Sequence, residues 1–301
     1  MKLVKRRLTP AEMYPAGEDG VRTRMLALPS GLSVRVVEAG DAASPPIVLV
    51  PGWGCSVWMF HENIAALASA GYRVIAVDPK GHGLSDKPRD PSEYTSRAMR
   101  DHLIEILDAL RLERVAFVGH SMGAAIAACV AAEVPQRVSA LVMVAPVGFA
   151  GVPGMSIYRA LTPSFSIPLL RVLAARPLIR LMLWVVYGSL RPASPRSLEE
   201  FYAPTQFPEF TRALRNTLHE FTWDAEFPKL AAPVLTIVGS KDMLSPADDA
   251  ARYVTAESGS PAVVVKGAGH VILDEAPGVV NAAITGFFKG ASKSRVYLDS
   301  E

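Results

Sequence analysis

Gly119-His120-Ser121-Met122-Gly123 follows Val115-Ala116-Phe117-Val118, which reads as a short buried strand, and precedes an alanine-rich helix over residues 124–132. A serine on so sharp a strand-to-helix turn stands exposed at the edge of a sheet, with the next helix N-terminus aimed at it. Small residues on either side let the strained turn close. A serine hydroxyl is a weak nucleophile unless a base removes its proton and donors hold the oxyanion that forms. The rest of the chain is therefore read for an acid, a base and an oxyanion hole.

The acid candidate is Asp242, just past the apolar run Val234-Leu235-Thr236-Ile237-Val238-Gly239. Most loop aspartates only cap turns, and Asp248 and Asp249 read as helix-start residues. Asp242 stands where a strand end can present a carboxylate to the edge that carries Ser121. The base candidate is His270 in Gly267-Ala268-Gly269-His270, a glycine-rich loop after the last apolar run. His61, His102 and His219 lie in helical patterns without a chemical partner, and His82 and His120 flank motifs. Only His270 completes the chain order serine, aspartate, histidine. In that set the imidazole shuttles the serine proton while the carboxylate fixes its tautomer. The backbone N–H of Met122 and that of Trp53, which follows Pro51-Gly52 after the third strand, are the candidate oxyanion donors.

Outward from this centre, residues 22–28 and 32–38 flank Pro29-Ser30-Gly31 as a hairpin. Residues 46–50, 72–77, 114–118, 138–144, 234–238 and 262–265 are further short strands, with helical spacing at 61–70, 97–112 and 279–288. The last dozen residues read as a tail. Short apolar strands alternating with helices imply an α/β fold, a mostly parallel doubly wound sheet covered on both faces. The rhythm breaks after the sixth strand. Residues 1–146 and 230–301 are therefore expected to form the core, and 147–229 an inserted helical cap.

Composition narrows the function. With 31 Lys+Arg against 29 Asp+Glu the net charge is +2, which gives no basic footprint for nucleic acid. Two cysteines, Cys55 and Cys129, make no disulfide framework, and the charged N-terminus lacks the apolar stretch of a signal peptide, so a cytoplasmic setting is expected. Arginines and a proline interrupt residues 167–190, leaving no run long enough to span a bilayer. That segment reads as a cap helix, with peripheral membrane contact as the lesser reading. No metal-ligand spacing is visible. No cofactor is expected, and the oligomeric state is open.

Four pieces in order carry a resemblance: Pro51-Gly52-Trp53-Gly54, then Asp78-Pro79-Lys80-Gly81-His82-Gly83-Leu84-Ser85, then residues 119–123, then Asp242 with His270. Together, over residues 20–290, the chain resembles the α/β-hydrolase superfamily in its bacterial serine-esterase branch. It departs twice: Pro51 stands where a histidine is usual, and Lys80 where an arginine is common. His82 and Ser85 are read as structural. The resemblance implies a carboxylic ester hydrolase acting through an acyl-enzyme on small to medium apolar acyl groups, with a small-molecule ester as substrate.

Related epoxide hydrolases and haloalkane dehalogenases carry an aspartate where this chain has Ser121. Carbon–carbon hydrolases of aromatic ring-cleavage products share the three residue types, but typically with asparagine before the serine and tryptophan after the histidine. Here His120 and Val271 occupy those places. That reaction, and a non-enzymatic receptor on the same fold, stand as alternatives. Trp53, His120, Phe149, Trp184 and Val271 are the candidate substrate contacts. Between Gly151 and Pro195 the only charged residues are arginines, which read as solvated cap charges before anything else.

Overall fold

The computed structural model describes residues 7–14, 20–147, 155–221, 230–245, 262–290 and 296–298. Phe149, Asp248 and Asp249, all weighed from sequence, lie outside them.

The chain opens with an antiparallel hairpin of β1 (Arg22–Ala27) and β2 (Ser33–Ala39), in register from Arg22 opposite Glu38 to Ala27 opposite Ser33. Gly31 sits in the turn at φ +85°, a conformation that costs a residue without Cβ little. Then come β3 (Pro46–Val50), β4 (Arg73–Val77), β5 (Val115–His120), β6 (Val138–Val144), β7 (Val234–Gly239) and β8 (Ala262–Val265). A ninth strand, β9 (Val296–Leu298), pairs parallel with β8, so the expected tail contributes an edge strand. Its valine and leucine suit a pleated ladder, and β8 offers it an open edge. The order is β1-β2-β4-β3-β5-β6-β7-β8-β9, and every pairing after β2–β4 is parallel.

Period-two alternation explains why the sheet has two covered faces. Val48, Val50 and Phe117 enter one apolar cluster with α2 (Ser96–Ala109) and α3 (Met122–Glu133). Ile47, Leu49 and Val118 enter the other, with α1 (His61–Ser69) and a C-terminal helix at Pro277–Phe288. The α3 helix is buried on nearly every side, and its alanines let it approach the sheet closely. Of the N-terminal arm, Met13 and Tyr14 are anchored to β2. The buried guanidinium of Arg35 donates to the carbonyls of Met13 and Tyr14 at 2.5 and 2.7 Å.

Between β6 and β7 the chain builds α4 (Met155–Leu161), α5 (Ile167–Leu173), α6 (Arg176–Val186), α7 (Pro195–Tyr202) and α8 (Pro208–Glu220). Proline opens or nearly opens four of them, where its missing N–H leaves no bond unmade. A short helix, α9 (Ile272–Glu275), precedes α10 (Pro277–Phe288). No helix among the described residues is long and apolar enough to cross a membrane.

Candidate active site

Ser121 joins β5 to α3 with φ +53° and ψ −123°, a backbone conformation rare for a residue with a Cβ. The surroundings enforce it. The Ser121 N–H donates to the Val144 carbonyl at 2.9 Å. A Cβ on Gly119 would lie 2.5 Å from Ala124 Cα, and one on Gly123 would lie 2.1 Å from the Val50 carbonyl oxygen. Both glycines are therefore required by packing, and β3 lies directly behind the turn.

His270 follows β8, and its Nε2 is 3.0 Å from Ser121 Oγ. Its Nδ1 is 2.8 Å from Asp242 Oδ2. Asp242, just beyond β7, also accepts through Oδ1 from the backbone N–H groups of Leu244 and Ser245 at 2.8 and 2.9 Å. One carboxylate oxygen is thus held by the backbone and the other faces the imidazole. All three residues are buried, with 6 to 8% exposure. The structure brings the three sequence candidates into one hydrogen-bonded line.

Gly52 packs against this line. A Cβ there would meet Ser121 Cβ at 2.8 Å and His120 Nδ1 at 3.0 Å. Trp53 follows it, half-buried, with its indole N–H donating to the Leu214 carbonyl on α8 at 2.9 Å. Met122 is the first residue of α3, so its N–H lies at the positive end of a twelve-residue helix.

The remaining candidate contacts fare differently. His120 is buried rather than open to a ligand, and its Nε2–H donates to the His270 carbonyl at 2.9 Å. Burial and the neighbouring His270 push its pKa down to about 3, so it is neutral. It therefore steadies the His270 backbone. Val271 is packed in the apolar core beside α9, because a valine at that turn gains more from burial than from solvent. Trp184, on α6, points outward.

The histidines read as partnerless have structural partners. His102 Nε2 accepts from the Lys80 N–H at 3.0 Å, His61 stacks on Trp58, and His219 meets Thr162 Oγ1. His82 and Ser85, read as structural, are buried. Ser85 Oγ bridges the Arg35 N–H and the Asp78 carbonyl.

Sequence reasoning passed over Asp274 and Glu275. Glu275 accepts from the Gly269 N–H at 2.9 Å and from the Gly188 N–H at 2.7 Å, clamping the His270 loop to the residues after α6. The His270 N–H itself donates to Val186, the last residue of α6, at 2.8 Å. Asp274 accepts from Tyr187 Oη, Ser197 Oγ and the Arg191 guanidinium. Nothing in the sequence marked them, since an acidic pair after a loop histidine has no spacing signature. His61, Glu62 and Asp274 form the one cluster among the described residues with metal-ligand proximity, and Arg191 already bridges its two carboxylates.

A family profile described as alpha/beta hydrolase fold matches residues 45–277. Epoxide hydrolase A of Mycobacterium tuberculosis is 27% identical, over 90% of this chain and 98% of that protein. The dihydrolipoyllysine-residue acetyltransferase component of an acetoin-cleaving system from Pseudomonas putida is 29% identical, over 86% of this chain and 67% of its own length. The crystal structure of epoxide hydrolase A from Mycobacterium thermoresistibile superposes with a TM-score of 0.72 at 25% identity, covering 90% of this chain and 98% of that one. With the profile spanning the chain from β3 to α9, the chain belongs to the alpha/beta hydrolase family.

Proposed function

We propose that this protein is a serine hydrolase that cleaves carboxylic esters of small to medium apolar acyl groups. The observation that carries the reading is the line Asp242–His270–Ser121, with separations of 2.8 and 3.0 Å. Ser121 Oγ attacks the ester carbonyl carbon while His270 Nε2 takes the hydroxyl proton. Asp242 stabilises the imidazolium and holds its tautomer. The N–H groups of Trp53 and Met122 receive the negative charge on the carbonyl oxygen. The imidazolium then gives its proton to the leaving alkoxide, the carbon–oxygen bond breaks and the alcohol departs. Water, deprotonated by His270, attacks the acyl carbon and frees the acid, and the proton returns to Ser121. Residues 147–229 act as the cap, with α8 meeting the Trp53 indole beside Gly52 and Ser121.

Relatives named epoxide hydrolases make epoxide opening the competing reading. The atom at position 121 weighs against it. A carboxylate that opens an epoxide forms an ester, which water can cleave. A serine oxygen would form an ether, which has no carbonyl for water to attack and would trap the enzyme. The test is a series of p-nitrophenyl esters of rising acyl length beside an epoxide panel, with fluorophosphonate labelling mapped by mass spectrometry. Label on Ser121 is expected. So is a kcat/KM that climbs with chain length, by up to about 0.8 kcal/mol per buried methylene, until the pocket is full. Epoxide turnover without ester turnover, or label on another residue, overturns the reading.

A further inference from the structure

Eleven of the fourteen exposed large hydrophobic side chains among the described residues fall between Ile157 and Val185. They recur at helical spacing on the outside of the insertion. On α6, Leu178, Leu181, Met182 and Val185 repeat at i, i+3, i+4 and i+7, and all are exposed. On α5, Leu169, Val172 and Leu173 repeat at i, i+3 and i+4. Phe165, between α4 and α5, is 84% exposed and Trp184 is 76% exposed. A helix packed only on a protein core turns its apolar stripe inward and its charges outward. Here Leu183 and Tyr187 face the core while a second apolar stripe faces solvent. Exposed apolar surface of this extent marks a contact surface rather than scattered chance.

Its charge identifies what covers it. Five arginines and no acidic residue fall between Gly151 and Pro195. Arg176 pairs with Glu199, Arg191 with Glu62 and Asp274, and Arg159 reaches the carbonyls of Leu218 and Phe221. Arg171 and Arg180 remain exposed on the apolar helices, and no acidic side chain among the described residues pairs with either. Arg180 lies one helical turn from Trp184. A second copy of the chain, docked face to face, would set these arginines against their own equivalents with no carboxylate from this segment to neutralise them. Anionic headgroups above an acyl layer complement both features. Guanidinium groups fork onto phosphate oxygens, and an indole settles at the interface.

We propose that the outer face of α5 and α6 docks on an anionic lipid bilayer. Docking would bring the surface to the helix whose last carbonyl, at Val186, holds the His270 N–H. The reaction at Ser121 is a separate matter, and the binding is read with a protein that cannot turn over. Ser121→Ala protein is sedimented with vesicles of phosphatidylcholine alone and of phosphatidylcholine with an equal part of phosphatidylglycerol. Binding to the second and little to the first is expected. Arg171→Gln with Arg180→Gln should lower that binding by roughly tenfold or more. Phe165→Ser with Trp184→Ser should abolish it while the circular dichroism spectrum stays unchanged. No binding to the anionic vesicles, equal binding to both compositions, or binding indifferent to both double variants overturns the proposal. So does a dimer in gel filtration that the Phe165/Trp184 variant dissolves, for then the occupant is a second copy.

Discussion

Ser121, His270 and Asp242 can each be removed singly. Ser121→Ala should leave the unfolding midpoint close to that of the parent, since only a hydroxyl is lost. It should lower ester turnover by about 10⁴-fold or more, because nucleophile and base act as a unit. Asp242→Asn should cost about 10⁴-fold in kcat by presenting the wrong tautomer, read by steady-state kinetics on a p-nitrophenyl ester. Glu275 gives a pH signature. Burial raises its pKa from 4.5 to about 7, against the pull of the Gly188 and Gly269 N–H groups, with Asp242 and Asp274 adding to the rise. Between those values the folded protein keeps a proton that the unfolded chain has lost. Stability should therefore fall as pH rises from about 4.5 to about 7 and then level off. Glu275→Gln should flatten that slope in melting temperature measured across the range.

At the scale of the element, the sharp turn between β5 and α3 depends on what lies behind it. Gly123 has no space for a methyl group, because the Val50 carbonyl oxygen occupies it. Gly123→Ala should therefore push β3 away from α3 and cost about 2 kcal/mol or more, measured by urea unfolding. Gly119, similarly walled by Ala124, should respond alike. The β-strands were legible because branched apolar residues in short runs have few other uses, and their ends in the structure lie within a residue or two of those read from spacing. β9 was not legible: three residues of strand acquire meaning only from the exposed edge of β8 beside them.

For the whole molecule, Asp274 ties α9 to the helices that the chain builds between β6 and β7. It binds Tyr187 and Arg191 from the segment at the end of α6 and Ser197 from α7, with its carboxylate almost wholly buried. Asp274→Ala takes the acceptor from the hydroxyls of Tyr187 and Ser197, while the half-exposed Arg191 keeps Glu62, so it should cost about 2 kcal/mol. Limited proteolysis should then cut within residues 147–229 sooner than in the parent. Intact resistance would show that this tie is dispensable.

The order of strand, serine turn, acidic loop and histidine loop was determined by sequence alone, because local chemistry writes each of them. A strained turn needs glycines, a buried strand needs branched apolar residues, and a family of such pieces in one order leaves few folds. What touches what was decided by tertiary structure. His120, Val271 and Trp184 all carry plausible side chains for a ligand, yet the first two are buried and the third faces outward. Asp274 and Glu275 look like any acidic pair until the loop of His270 and the end of α6 arrive beside them. Burial and partnership are properties of distant residues meeting in space, and a helical period in α6 says only that it has two faces. Which face meets the core is fixed by the packing of its neighbours.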